Sequence, residues 1–320
     1  MRNRLYIMLV VSAALLTVSH VPVAAAADDA ALLGKWDITM PAAEKSGPRA
    51  LWIDVTREGG ALKGLFNSGG GAAFPLPVIK IEGGELMFQH PARRRDGTEY
   101  TVTYRAQVKN GRLEGNATYG DAAPRAFTGV RPPAWPAVAP KRKPGKPVDL
   151  FNGKDISGWL AQGTGKPPKG WLVKDGILIN EQPADNIYSE KKFQDFKVEL
   201  EFTVDKDSNG GLYLRGRYEI QIADSHGKPQ NVHSQGAVYG FMTPPVDACK
   251  PAGEWQTYEV TLVANRVTVI LNGTKIVDDF AIPGITGGAL DANEGEPGPI
   301  MLQGDHGKVQ FRKVRVTPLE

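Results

Sequence analysis

Residues 208–224 alternate apolar and polar side chains on both sides of a Gly-Arg pair, and this period of two predicts two β-strands joined by a turn. The apolar members are Leu212, Leu214, Ile220 and Ile222. If they face a core, the polar members of the same strands point to the opposite face. Those members are Tyr213, Arg215, Glu219 and Gln221. A phenol, a guanidinium, a carboxylate and an amide side by side predict a face that binds sugar hydroxyls.

The first 27 residues predict an export signal. Arg2 and Arg4 precede an apolar run over residues 5–16, and small residues at 23–27 fit a signal peptidase site. The run is shorter than a membrane span requires. We therefore expect cleavage near residue 27 and a periplasmic or secreted bacterial protein without a membrane span.

Charge and cysteine content narrow the function classes. The sequence has 38 basic and 35 acidic residues, a formal net charge of +3, and this near balance argues against nucleic acid as a partner. The single cysteine, Cys249, rules out a disulfide within the chain.

Residues 28–130 predict a small all-β domain. Its strands are expected at residues 35–40, 50–57, 61–67, 78–82, 85–89, 99–108, 112–119 and 126–130. Such a meander is expected to close as a small barrel or sandwich, and the Gly-Lys-Trp at 34–36 resembles the start of lipocalin-like barrels. No chemistry is assigned to this domain. The proline-rich residues 131–147 predict a semi-rigid linker that cannot join a sheet.

Residues 148–320 are again nearly all strand and predict a concanavalin-like antiparallel β-sandwich, or jelly roll. Outside residues 208–224, the strands are expected at 171–174, 177–180, 196–202, 258–264, 266–271, 275–279 and 309–317, with a further glycine-flanked strand at 235–240. One sheet of such a sandwich can curve, and we expect a sugar to lie on its concave face.

Two further carboxylates stand near the predicted hairpin. Glu201 falls on the outer face of the strand at 196–202, either as a solvated side chain or beside the strand that carries Tyr213, and the sequence leaves both readings open. Asp224 ends a run that resembles the catalytic strand of retaining β-glucanases. Gln221 replaces the middle acid of that pattern and Asp224 replaces a glutamate. These two departures argue against direct double displacement.

Loops supply the remaining candidates. His306 stands in a glycine-rich loop, where a functional role and a plain loop role are both open, whereas His226 and His233 are expected to be solvated turn residues. Tyr239 and Gln303 also lie in glycine-flanked stretches. A divalent metal held by Glu219, Asp224 and one histidine is possible, but no spacing is diagnostic of it, and no cofactor is predicted.

Six motifs in order resemble the 3-keto-disaccharide hydrolase domain family, over residues 148–317. They lie at residues 150–159, 208–216, 218–222, 236–240, 253–258 and 298–303. The resemblance implies a concanavalin-like sandwich that acts on sugars oxidised to a ketone at C3. It does not extend to residues 28–130.

A ketone at C3 acidifies the proton on C2, so the glycosidic bond at C1 can break by elimination, and water can then add to the enone. This route needs a base at C2, a cation or hydrogen-bond donor at the enolate oxygen, and an acid at the leaving group. We expect Glu219 as base or acid, Arg215 as the enolate clamp and His306 as a second proton-transfer group. Sugar contacts are expected from Glu201, Tyr213, Gln221, Asp224, Tyr239 and Gln303. The alternatives are a non-catalytic carbohydrate-binding module and an endo-β-glucanase, the latter disfavoured by Gln221.

Overall fold

The computed structural model describes residues 29–42 and 47–320. After a single helical turn at residues 29–32, the described chain is built from strands in three antiparallel sheets. The predicted export signal lies outside the described residues. Within them, no helix combines the length and hydrophobicity needed to cross a membrane.

Nine strands form the first sheet. They are β1 (Gly34–Met40), β2 (Arg49–Glu58), β3 (Ala61–Asn67), β4 (Phe74–Pro75), β5 (Val78–Glu82), β6 (Glu85–Arg93), β7 (Glu99–Lys109), β8 (Arg112–Tyr119) and β9 (Arg125–Val130). Their spatial order is β4-β3-β2-β1-β9-β8-β7-β6-β5. The two ends of the sheet approach each other, because Gly64 of β3 packs against Ile79 of β5, where an added Cβ would lie 2.9 Å from Ile79 Cδ1. We call this curled sheet, residues 34–130, the barrel.

Several successive strands of the barrel are joined by turns in which the chain reverses its direction within two residues. Asn110 and Gly111 join β7 to β8, and both have positive φ, the geometry of a two-residue hairpin loop. Alternate residues of the strands fill one core, including Trp36, Phe66 and Tyr104. The eight predicted strands are present, and the structure adds the short β4.

Thirteen strands form the rest of the chain. They are β10 (Val148–Asp149), β11 (Trp159–Ala161), β12 (Trp171–Lys174), β13 (Ile177–Asn180), β14 (Ile187–Phe193), β15 (Phe196–Val204), β16 (Asn209–Leu214), β17 (Tyr218–Ala223), β18 (Gln256–Val263), β19 (Arg266–Leu271), β20 (Thr274–Ala281), β21 (Gly298–Leu302) and β22 (Val309–Pro318).

These strands make two sheets that share one hydrophobic core. The larger sheet has the order β12-β13-β22-β15-β18-β19-β20, with β10 paired to β22, and the smaller has the order β11-β14-β21-β16-β17. Alternate residues of β15, such as Leu200, and of β16 and β17, such as Leu212 and Ile220, belong to the same buried cluster. The predicted all-β class, a sandwich of this kind preceded by a small barrel, is confirmed. We call residues 148–318 the sandwich.

One local prediction was wrong. Residues 235–240 form a loop with isolated bridges rather than a strand, because Gly236 and Gly240 adopt positive φ and interrupt the extended run. This loop follows the free edge of β17, where the backbone N–H of Gln221 donates to the Ala237 carbonyl at 3.0 Å. The proline-rich segment belongs to none of the three sheets and makes one isolated bridge, between Pro144 and Leu319, through the backbone N–H groups of Lys143 and Gly145.

The barrel packs directly against the sandwich. Trp52 of β2 belongs to the sandwich core cluster, and its indole N–H donates to the Ile285 carbonyl at 2.8 Å. Lys35 of β1 forms a buried ion pair with Glu294 at 2.8 Å. These contacts bring the loop between β3 and β4, residues 68–73, over the smaller sheet.

Candidate active site

A pocket of about 340 Å³ lies on the face of β16 and β17 that points away from the sandwich core. It is lined by Gly69, Gly70, Gly71, Asn209, Tyr213, Glu219, Gln221, His233, Tyr239, Gly287, Gly288, Gln303 and His306. Six of the nine residues predicted for the site are therefore brought together: Tyr213, Glu219, Gln221, Tyr239, Gln303 and His306. The face is not open to solvent, because the barrel loop and residues 286–288 cover it.

Glu219 is the buried centre of this pocket, with an exposed fraction of 3%. Its Oε2 lies 2.8 Å from the hydroxyl of Tyr213, which faces it across the β16–β17 pair. The same hydroxyl lies 2.8 Å from the carbonyl oxygen of Gly287. The phenol of Tyr213 is thus held between one carboxyl and one carbonyl.

The protonation state of Glu219 follows from these two contacts. A phenol has one proton and cannot donate to both oxygens. When Glu219 is protonated, its O–H donates to Tyr213 and the phenol donates to Gly287, so both contacts become hydrogen bonds. Burial raises the pKa of Glu219 to about 8, against the lowering effect of the Tyr213 hydrogen bond. Both arguments indicate a neutral carboxylic acid at pH 7.

The other oxygen of Glu219 is fixed by Gln221. One end of the Gln221 amide faces two acceptors, Glu219 Oε1 at 2.9 Å and the Gly210 carbonyl at 3.2 Å, and is therefore the nitrogen. A Cβ on Gly211 would overlap Glu219 Oε1, so glycine is needed opposite the carboxyl. Gln221 and Gly211 together set the orientation of the acid.

Two histidines face the pocket from loops. His306 is half exposed, and its Nδ1 lies 2.6 Å from Asp305 Oδ1. A proton on Nδ1 that bonds Asp305 leaves Nε2 free to accept a proton. His233 packs against Tyr239 with ring centroids 4.9 Å apart. This pair gives the pocket an aromatic wall.

Arg215, expected as the enolate clamp, lies elsewhere. It occupies the turn after β16 with φ of 52°, and its side chain is fully buried. Its guanidinium bonds Asp195 at 3.2 Å, the Ala264 carbonyl at 2.6 Å and the Gln194 carbonyl at 2.6 Å. Because the strand ends at Leu214, the alternation stops there and does not place Arg215 in the pocket.

Two predicted sugar contacts are also outside the pocket. Glu201 belongs to β15 of the larger sheet, where it pairs with Arg312 at 2.5 Å, so of the two readings of this residue the solvated one holds. Asp224 follows β17, and its Oδ2 accepts the Asp207 amide at 3.0 Å. Asp224 thereby closes the turn that precedes β16. The described residues contain no cluster of three or more histidine, cysteine or acidic residues suited to a metal ion.

Several pocket residues were not found from the sequence. His233 was expected to be a solvated turn residue, and Asn209 was unmarked. The barrel contributes Gly69, Gly70 and Gly71, although no chemistry was assigned to it. The run of three glycines was the available signal, since such a run lets backbone approach another surface closely.

With this geometry in view, the chain was compared with known proteins. A family model described as the 3-keto-alpha-glucoside-1,2-lyase-like domain matches residues 146–317, more than half of the chain. The chain belongs to this family. The match confirms the resemblance that the sequence motifs indicated over residues 148–317, and it places β16, β17 and the pocket residues of the sandwich within the lyase-like domain.

Relatives of this lyase-like chain include a curated protein and solved structures. A 3-keto-disaccharide hydrolase of Bacteroides thetaiotaomicron is 23% identical over 234 residues, covering 54% of this chain and 78% of that protein. Family membership and this relative confirm the predicted hydrolase class. A protein of Parabacteroides distasonis named as a glycosyl hydrolase is 27% identical, covers 58% of this chain and 94% of its own, and has a TM-score of 0.48. The carbohydrate-binding module CBM66 of Bacillus subtilis is 14% identical, covers 49% and 94%, and has a TM-score of 0.34.

Proposed function

We propose that the chain cleaves 3-keto-glycosides, including 3-keto-disaccharides, in the pocket around Glu219. The observation that carries the proposal is a buried glutamic acid held neutral between Tyr213 and Gln221. It is an acid that can protonate a leaving group at pH 7. Family membership and the name of the Bacteroides relative support the substrate class.

In the proposed reaction, His306 Nε2 takes the proton from C2 of the oxidised sugar and the electron pair moves onto the C3 oxygen. The carbonyl then re-forms, a double bond forms between C1 and C2, and the bond from C1 to the glycosidic oxygen breaks. Glu219 gives its proton to that oxygen. The Asn209 and Gln303 amides can donate to the oxygens of the bound sugar.

Hydration of the enone restores the protonation states of Glu219 and His306. Water adds to C1 of the enone and loses a proton to the Glu219 carboxylate, while His306 returns a proton to C2. The net result is hydrolysis, with both residues back in their starting states.

The arrangement around Glu219 favours elimination over displacement. A retaining glycosidase needs two carboxyl groups about 5–5.5 Å apart. In this pocket Glu219 is the single carboxylate among the lining residues that the structure describes. The amide of Gln221 stands beside it, where the glucanase strand pattern places an acid.

The proposal is tested by incubating the purified protein with a 3-keto-disaccharide and with the unoxidised parent, with and without chelator or added divalent metal. We expect release of the leaving sugar from the oxidised substrate alone. Binding without product in every condition would instead favour a non-catalytic carbohydrate-binding module. Cleavage of unoxidised glucan would favour an ordinary glucanase.

We also propose that the protein is exported, on the pattern of residues 1–27. Expression in a Gram-negative host should yield periplasmic protein whose mass corresponds to cleavage near residue 27. Full-length protein retained in the cytoplasm would contradict export.

A further inference from the structure

A second cleft, of about 410 Å³, lies beside the active-site pocket and between the barrel and the sandwich. The barrel lines it with Arg49, and the sandwich lines it with Gln162, Asp185, Asn186, Leu290 and Asp305. The two spaces share a boundary. Asp305 precedes His306 of the pocket, and Gln162 Nε2 donates at 3.4 Å to the carbonyl of Gly288, another pocket residue.

The barrel loop that lines the pocket, residues 68–73, is seated on the sandwich. The Gly288 amide donates to the Gly69 carbonyl at 3.2 Å. A Cβ on Gly287 would lie 2.5 Å from the Gly71 nitrogen, and one on Gly240 would lie 2.8 Å from Ala72 Cβ. Side chains at these two sandwich positions would push the loop away, so the glycines let it lie directly over the pocket.

Arg49 is tied to the base of the same loop. Its guanidinium donates to the Ser68 carbonyl and lies 3.5 Å from the hydroxyl of Tyr119. The cation therefore has a fixed place at the cleft rather than a free one on the barrel surface. Across the cleft stand the amides of Gln162 and Asn186 and the carboxylate of Asp305.

This mixture of groups suits a neutral sugar. A guanidinium and amides donate to hydroxyl oxygens, carboxylates accept from hydroxyl groups, and Leu290 offers an apolar contact. The cleft also adjoins the place where the glycosidic bond must be broken. One ring in the pocket and one in the cleft would make a substrate of two rings.

We propose that this cleft binds the leaving sugar of the substrate, so that the barrel selects glycosides by their leaving group. The inference rests on the proposed function, and it gives the barrel a role in specificity that the family match over residues 146–317 does not cover.

The test compares a 3-keto-disaccharide with methyl 3-keto-glucoside, which has no leaving sugar. The ratio of their kcat/KM values is measured for the wild type, Arg49→Met, Gln162→Leu and the control Arg125→Met. Arg125 is a barrel arginine that also donates to a backbone carbonyl, that of Pro41, at 3.1 Å. We expect the ratio to fall about tenfold or more in the first two variants, as for the loss of a hydrogen bond to a charged group, and to hold in the control.

Equal losses on both substrates in Arg49→Met and Gln162→Leu would overturn the inference, because a structural defect acts on both. If the wild type cleaves neither substrate, the proposed function fails instead. The cleft is then tested by calorimetry with the unoxidised disaccharide and methyl glucoside. Weaker binding of the disaccharide alone in Arg49→Met supports the cleft, and an unchanged ratio of affinities overturns it.

Discussion

Both sheets of the sandwich carry glutamates on their outer faces, and the two faces differ in what covers them. On the larger sheet Glu201 pairs with Arg312, with 31% of the Glu201 side chain exposed. On the smaller sheet Glu219 is 3% exposed, beneath the barrel loop and residues 286–288. Both glutamates occupy outward-facing positions of alternating strands, yet Glu201 forms a solvated ion pair and Glu219 is a neutral acid. The cover over a sheet face therefore decides what its carboxylates can do.

The contrast between Glu219 and Glu201 is tested most directly by replacing each glutamate with glutamine. Glu219→Gln removes the proposed acid and should lower kcat on a 3-keto-disaccharide by about 10²–10⁴-fold, the usual contribution of general acid–base catalysis. At about pH 4, where the wild-type carboxyl is largely neutral in the folded and the unfolded chain, the melting temperature should stay nearly unchanged because the amide fills the same space. Glu201→Gln is the matched control and should keep full activity. Comparable losses in the two variants would show that the cover over Glu219 does not matter.

Two arginines extend the comparison to the stability that buried and exposed ion pairs contribute. Arg215→Met leaves the Gln194 and Ala264 carbonyls without their guanidinium donor, while Asp195 keeps its pair with Arg142 at 2.7 Å, and should lower the free energy of unfolding by about 2–4 kcal/mol. Arg315→Met removes an exposed pair with Asp149 and should leave the free energy of unfolding nearly unchanged. Urea titrations measure both. An Arg215→Met protein that is stable but inactive would instead indicate that Arg215 acts in catalysis.

The barrel loop can be tested as part of the cover. Gly70 lines the pocket, a Cβ there meets no atom within 4 Å, and its φ lies outside the left-handed region. Gly70→Trp should therefore fold and narrow the pocket, lowering kcat/KM by about 10²-fold through a misplaced substrate. Ala61→Trp places the same side chain on an exposed barrel strand as the control. Full activity in Gly70→Trp would show that the barrel loop is not part of the active site.

The pH dependence of stability gives a further test of the buried acid. The raised pKa of Glu219 contributes stability that is fully present below its unfolded value of 4.5 and is lost as pH rises through about 8. The free energy of unfolding of the wild type relative to Glu219→Gln should fall over this range by at most about 1.4 kcal/mol per pH unit. Asp37, whose pKa burial raises to about 7, is present in both proteins and cancels. A difference that is constant with pH would contradict a buried neutral acid.

Much of the fold could be predicted from the sequence because its signals are local. Period-two alternation located strands such as β3, Ala61–Asn67, and β19, Arg266–Leu271, to the residue. Pairs such as Asn110 and Gly111 marked the hairpins. The strand expected at 235–240 failed because two glycines with positive φ interrupt it.

The site was harder to predict because it depends on long-range contacts. Alternation placed Tyr213, Glu219 and Gln221 together, since they share two paired strands. It misplaced Arg215, which lies one residue beyond the end of β16. His233 and the barrel loop reach the pocket through contacts between segments far apart in sequence, which no local pattern reports.

The most direct test of the central claim follows the hydrogen at C2 of a 3-keto-disaccharide deuterated at that position. Elimination breaks this bond, so we expect a primary isotope effect on kcat/KM and solvent hydrogen at C2 of the hydrated sugar product. The same substrate incubated without the protein serves as the control for spontaneous exchange of the acidic C2 position. Full retention of deuterium with no isotope effect would contradict elimination at the Glu219 pocket.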